Sequence, residues 1–99
     1  MKVRKSKDLA KVLKKKGFIL NPEKDHHQFY YLTIDGIRFP VYTYLSHGID
    51  EYGNTLMSEV KKQLGFKKTI DAERFFDCPM SKNEYIKLLV DSKIIVLEN

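Results

Sequence analysis

The sequence predicts a single α+β domain that runs helix, three strands, helix, and then continues into a helical extension. Three observations carry this expectation. The chain has 99 residues, with 42% apolar side chains, six Phe and six Tyr, which suits one hydrophobic core and argues against disorder. Segments 6–16 and 54–64 repeat apolar residues at helical spacing. Between them, two runs rich in aromatic and β-branched residues flank Asp35-Gly36, a pair suited to a two-residue hairpin turn because both positions tolerate positive φ.

Ser6 is placed to cap the first helix, Leu9, Val12 and Leu13 give it an apolar stripe, and Gly17 stands where a left-handed C-terminal cap falls. Lys7, Lys11, Lys14 and Lys15 project opposite that stripe as a cationic ridge. Residues 18–20 read as a short strand, stopped by Asn21-Pro22 and the charged turn Glu23-Lys24-Asp25. Two strands, 26–34 and 37–45, then form the hairpin. A two-residue loop sets Ile34 opposite Ile37, Leu32 opposite Phe39, Tyr30 opposite Val41, and His26 near Leu45 on an apolar face. The other face pairs Thr33 with Arg38, Tyr31 with Pro40, Phe29 with Tyr42, and His27 with Tyr44. That mixed face is either open for a ligand or covered by the end of the chain.

Leu56, Val60 and Leu64 define the second helix before Gly65. Residues 70–77 read as a short helix broken by Pro79, and Ser81-Lys82-Asn83-Glu84 has capping-box spacing ahead of Tyr85, Leu88 and Leu89. Residues 94–97 are expected to close as a strand. The core is thus about 6–66 and the α-α-(β) extension about 67–99, within one domain; the extension completes the core, covers the sheet, builds a dimer or replaces some function of a partner protein, with core completion the first expectation.

The net charge is +5, but it is uneven. Residues 1–16 hold eight basic side chains against Asp8 alone, a net +7, so the rest of the chain is slightly acidic. Such a patch attracts phosphates, acidic membranes or an acidic protein, or is simply a solvated lysine face. No stretch approaches the eighteen or so apolar residues of a membrane helix, and no secretion signal is expected. Cys78 is the only cysteine; it has no disulfide partner and is expected to be a small buried apolar residue, so a reducing cytoplasm fits.

Chemistry centres on three histidines, because imidazole exchanges protons near neutral pH. His26 and His27 open the second strand and His47 follows the third, and antiparallel pairing brings these strand ends together. Two imidazoles within reach of one phosphodiester can cleave RNA through its 2′-hydroxyl without a metal or other cofactor. Adjacent His26 and His27 point to opposite strand faces and suit zinc poorly, and no clustered carboxylates suit magnesium. The plainer reading is that these histidines only end strands at the surface. Tyr30 is expected in the core, while Tyr31, Tyr42 and Tyr44 either pack or stack on unpaired bases.

At Gly17-Phe18, Lys24-Asp25-His26-His27, His47, Gly53, Thr55-Leu56 and Leu64-Gly65-Phe66, the chain resembles the HicA-type toxins of bacterial and archaeal toxin–antitoxin pairs. In that family a lysine-rich first helix ends in Gly-Phe or Gly-Trp, a histidine opens the next strand, and His, Gly, Thr-Leu and Leu-Gly follow. The resemblance covers about 6–66. It implies a double-stranded-RNA-binding-like fold and a metal-independent endoribonuclease that cleaves messenger RNA and is held inactive by a HicB-type antitoxin. The family's catalytic histidine carries over to His26 or His27, with His26 the better positional match. His47 becomes the general acid or a phosphate contact, and Lys7, Lys11, Lys14, Lys15 and Arg38 position RNA. Lys24-Asp25 stands where the family usually has Gly-Ser, which puts a negative charge beside the histidine. A non-catalytic RNA-binding module of the same fold, and a protein-interaction domain with a basic ridge, are the alternative readings.

Overall fold

The hairpin organises the fold. Asp35 and Gly36 adopt φ of 52° and 80°, the positive pair a tight two-residue turn requires, and they join β3 (His27–Ile34) to β4 (Ile37–Ser46). A computed structural model describes residues 1–21, 27–46 and 48–97. The other elements are β1 (Arg4–Lys5), α1 (Ser6–Lys15), β2 (Phe18–Asn21), β5 (Glu51–Tyr52), α2 (Asn54–Gln63), α3 (Thr69–Asp77) and α4 (Lys82–Asp91). Over the described residues the protein is α+β: an antiparallel sheet of order β2-β3-β4, a two-residue β1-β5 ribbon, and four helices. None of these helices is long and apolar enough to cross a membrane.

The register departs from simple extension of the turn. Thr33 pairs with Arg38 and Ile34 with Ile37, as expected, but beyond them Tyr31 pairs with Tyr42, Tyr30 with Thr43, Phe29 with Tyr44, Gln28 with Leu45 and His27 with Ser46. The predicted partners Val41 for Tyr30, Tyr42 for Phe29 and Tyr44 for His27 are therefore each displaced by two residues. The slip falls where Phe39, Pro40 and Val41 face Leu32 alone. Pro40 has no N–H for the ladder, so a bulge forms at it. Because the shift is by two, the described residues paired beyond the bulge keep their predicted faces.

One face of the sheet is sealed by helices. Phe18, Tyr30, Leu32, Val41 and Leu45 share a buried cluster with Leu9 and Leu13 of α1, Met57 and Val60 of α2, Phe75 of α3, and Tyr85 and Leu89 of α4. In α2 the inward stripe is Met57, Val60 and Leu64; Leu56, expected inside, is exposed. Thr43 is also buried, its hydroxyl hydrogen-bonded to the Gln63 side chain, which satisfies a polar group within the core.

The extension is tied into that core. Phe75 meets Phe18 edge-on at 6.4 Å, Phe66 at 5.5 Å and Tyr85 at 4.8 Å. Tyr85 donates from its hydroxyl to Leu64 O at 2.7 Å, and its deep burial pushes the phenol far above its ordinary range. The predicted capping box is present, with the Glu84 amide donating to Ser81 Oγ at 3.1 Å and the Ser81 amide to Glu84 Oε1 at 3.2 Å. Ser81→Ala is expected to cost about 1 kcal/mol in chemical denaturation.

Three local expectations are corrected. Ser6 is the first residue of α1 rather than its cap: Lys5 is the cap residue, without a side-chain bond, and the Ser6 amide donates to Asp50 O at 2.8 Å. The cause is the β1-β5 pairing, Arg4 with Tyr52 and Lys5 with Glu51, which feeds the chain into the helix from a strand. Residues 94–97 form no strand; the Ile94 and Ile95 amides turn back to Leu89 O at 2.9 and 3.4 Å. Ile95 is buried against the helices, while Val96 and Leu97 lie beside Ile34, Ile37 and Phe39 at the hairpin tip. Cys78 is exposed, not buried, because it ends α3 with φ of 75°, a left-handed turn that directs its side chain outward. Lys16, which lies outside the predicted lysine ridge, is 5% exposed and its ammonium donates to Met80 O.

Arg4 closes the N-terminus over α3. Its guanidinium donates to Glu73 Oε2 at 2.6 Å and Asp77 Oδ1 at 2.9 Å, and lies 5.4 Å from the Phe76 ring centroid. The Arg4 hydrogen bond is the main cause holding the Asp77 carboxyl below its usual range, with Lys2 assisting. A carboxyl lowered in this way stabilises the fold above its unfolded pKa, near 4, and loses that contribution as pH falls through the lower folded value. The difference in Tm between wild type and Arg4→Met is therefore expected to be largest near neutrality and to shrink below about pH 4.

Candidate functional site

Alternation along β3 and β4 leaves a second sheet face that the helices do not seal. His27, Phe29 and Tyr31 of β3 and Tyr42, Tyr44 and Ser46 of β4 share it, and each is half-buried or exposed. His27 stands at the open end of the hairpin. Its Nδ1 lies 3.1 Å from Ser46 Oγ, and its ring packs 4.8 Å from Tyr44 and 6.2 Å from Phe29, centroid to centroid. Ser46 is itself held, because its amide donates to the hydroxyl of buried Tyr52 at 2.7 Å.

This contact has a chemical consequence. A hydroxyl can either accept from Nδ1–H or donate to bare Nδ1. The first arrangement leaves Nε2 as an available base, and the second leaves it as a proton donor. In both, Ser46 fixes the plane of the imidazole. Sequence reasoning missed Ser46 because the simple hairpin register paired His27 with Tyr44. The signal was Pro40, whose missing N–H forces the two-residue shift.

The cations divide between two surfaces. Lys7, Lys11, Lys14 and Lys15 are exposed on α1, and among the described residues none of them forms an ion pair. However, α1 packs Leu9 and Leu13 against the Tyr30 and Leu32 side of the sheet, so its outer ridge faces away from His27. The four lysines expected to position RNA are therefore not neighbours of His27. Arg38 does share its face: the guanidinium sits 4.3 Å from the Tyr31 centroid. It pairs with Thr33 at the far end of the hairpin, roughly 20 Å along the strand by the usual rise per residue, so it is a remote contact and not a partner of the imidazole. The His26 and His47 predictions lie outside the described residues.

Among the described residues no group of three or more His, Cys, Asp or Glu is arranged to hold a metal ion. Compared with family models, curated proteins and solved structures, the chain matches none.

Proposed function

We propose that the protein is a HicA-like endoribonuclease in which an imidazole at the hairpin mouth is the general base. The observation that carries the reading is the His27–Ser46 pair on the unsealed sheet face. Support also comes from the order α1-β2-β3-β4-α2 with helices on one face of a three-stranded antiparallel sheet, which is what a double-stranded-RNA-binding-like core requires.

RNA carries the nucleophile beside every phosphate, so the protein has to supply proton transfer and positioning. With Ser46 accepting from Nδ1–H, His27 Nε2 takes the proton of the 2′-hydroxyl. The 2′-oxygen attacks phosphorus, the P–O5′ bond breaks, and the products are a 2′,3′-cyclic phosphate and a 5′-hydroxyl. The proton delivered to the leaving 5′-oxygen comes from His47, the chain neighbour of Ser46. The α1 lysines attract messenger RNA and also offer a surface to an acidic, HicB-type antitoxin.

The test is incubation of the purified protein with single-stranded RNA in EDTA. Cleavage yielding cyclic-phosphate ends, abolished by a 2′-deoxy substitution at the cut position, is expected. Intact RNA under these conditions overturns the enzymatic reading, and salt-sensitive binding without cleavage would make the chain an RNA-binding module of the same fold.

A further inference from the structure

Resting on the RNA reading above, we infer that the unsealed sheet face is a stacking platform for unpaired RNA bases leading to His27. Phe29, Tyr31, Tyr42 and Tyr44 form a continuous panel, with neighbouring ring centroids 5.2 to 6.5 Å apart and ring planes within 21° to 34° of each other. His27 continues the panel at one end, and Arg38 covers Tyr31 toward the other. All four rings remain partly open to solvent, Tyr42 at 40%. The other large ring cluster, Phe18, Phe66, Phe75 and Tyr85, is buried on the opposite side of the sheet.

The composition of the panel selects its occupant. Three of the four rings are Tyr, giving an apolar body for contact and a hydroxyl that stays wet when nothing is bound. Among the described residues of β2, β3 and β4 no Asp or Glu occurs, while Arg38 and His27 bring cationic or protonatable nitrogen to the panel. Described strands that carry ring faces and basic groups without a carboxylate of their own complement a flexible polyanion bearing flat apolar groups. Unpaired bases offer those flat faces; a duplex keeps them inside its own stack, and its shape is read through backbone and grooves instead. The length of the hairpin suits about two or three bases. The platform thus defines the substrate as single-stranded RNA and delivers it along the strand direction to the imidazole.

Fluorescence anisotropy with a labelled 12-nucleotide 2′-O-methyl RNA tests this, because that strand cannot undergo attack by its own 2′-oxygen and binding is read apart from cleavage. The single strand is expected to bind at least about 10-fold more tightly than the same sequence annealed as a duplex. Tyr42→Ala is expected to weaken it by about 5- to 100-fold and Tyr42→Phe by less than about 2-fold. Arg38→Gln should weaken binding with an unchanged melting curve, which provides a second probe that does not alter the ring panel. Equal affinity for duplex and single strand, or unchanged affinity in both Tyr42→Ala and Arg38→Gln, overturns the platform. A dimer of the wild type that Tyr42→Ala dissociates also overturns it, since the face would then belong to a second copy. The two readings separate cleanly. Cleavage of 2′-hydroxyl RNA that is untouched by Tyr42→Ala removes the platform and keeps the nuclease. Tyr42-dependent binding with RNA left uncut keeps the platform and removes the nuclease.

Discussion

Phe75→Ala is expected to destabilise the protein by about 3–5 kcal/mol, the usual loss on truncating a fully buried phenylalanine. The side chain is completely buried and is the one ring that touches Phe18 at the start of the sheet, Phe66 after α2, Phe76 on its own helix, and Tyr85 on α4. Removing it takes a shared wall from four elements at once, and rings fixed by several neighbours collapse poorly into the space left behind. In a domain of this size that corresponds to a fall in Tm of more than about 10 °C. The result also probes whether core and extension unfold together. Far-ultraviolet circular dichroism, reporting mainly helices, and tyrosine fluorescence, reporting partly on the sheet, should shift to the same lower midpoint. Separate midpoints would mean that α3 and α4 unfold as their own unit.

Short-range chemistry made most elements legible in advance. Asp35-Gly36 specified its turn, Gly17 takes the expected positive φ of 95° after α1, and Ser81 with Glu84 marked the start of α4. At Gly17 the positive φ is what requires glycine, since the atom nearest an added Cβ, Lys82 Cε at 2.7 Å, belongs to a flexible side chain that can move aside. What escaped sequence reading depended on partners distant in the chain. Nothing local to Arg4 or Lys5 announces pairing with Glu51 and Tyr52. Nothing local to Lys16 says that its ammonium finds the Met80 carbonyl rather than water. Residues 94–97 have strand composition, yet Ile95 is drawn into the helical core while its amide closes α4; burial outweighed propensity, as it does for short apolar runs.

The site was half legible for the same reason. Strand alternation correctly assigned His27 to the mixed face and Tyr30 to the core, because a shift of two residues conserves parity. The partner of His27 depended on the bulge, and the direction of the lysine ridge depended on which sheet face α1 covers. Both are tertiary facts. Under the proposed nuclease reading, the imidazole would work in an aromatic setting with Ser46 beside it, and the α1 cations would act at a distance as a collecting field.

His27→Ala is accordingly expected to slow RNA cleavage by about 10²- to 10⁴-fold, the range for losing a general acid–base group, with little change in affinity for the 2′-O-methyl strand. Ser46→Ala keeps the imidazole and loses the hydroxyl that sets its plane, so a smaller loss of about 10-fold is expected, from misorientation alone. Ser46→Thr should recover most of that rate, since it restores a hydroxyl at the same Cβ, whereas a purely structural role would be served as well by Ala. His26→Ala supplies the control on the neighbouring imidazole. If it silences cleavage and His27→Ala does not, the base is His26 and the Ser46 contact is structural. Single-turnover rates on one RNA, measured beside the anisotropy of its 2′-O-methyl form, distinguish these cases because a lost base lowers the rate and leaves binding intact.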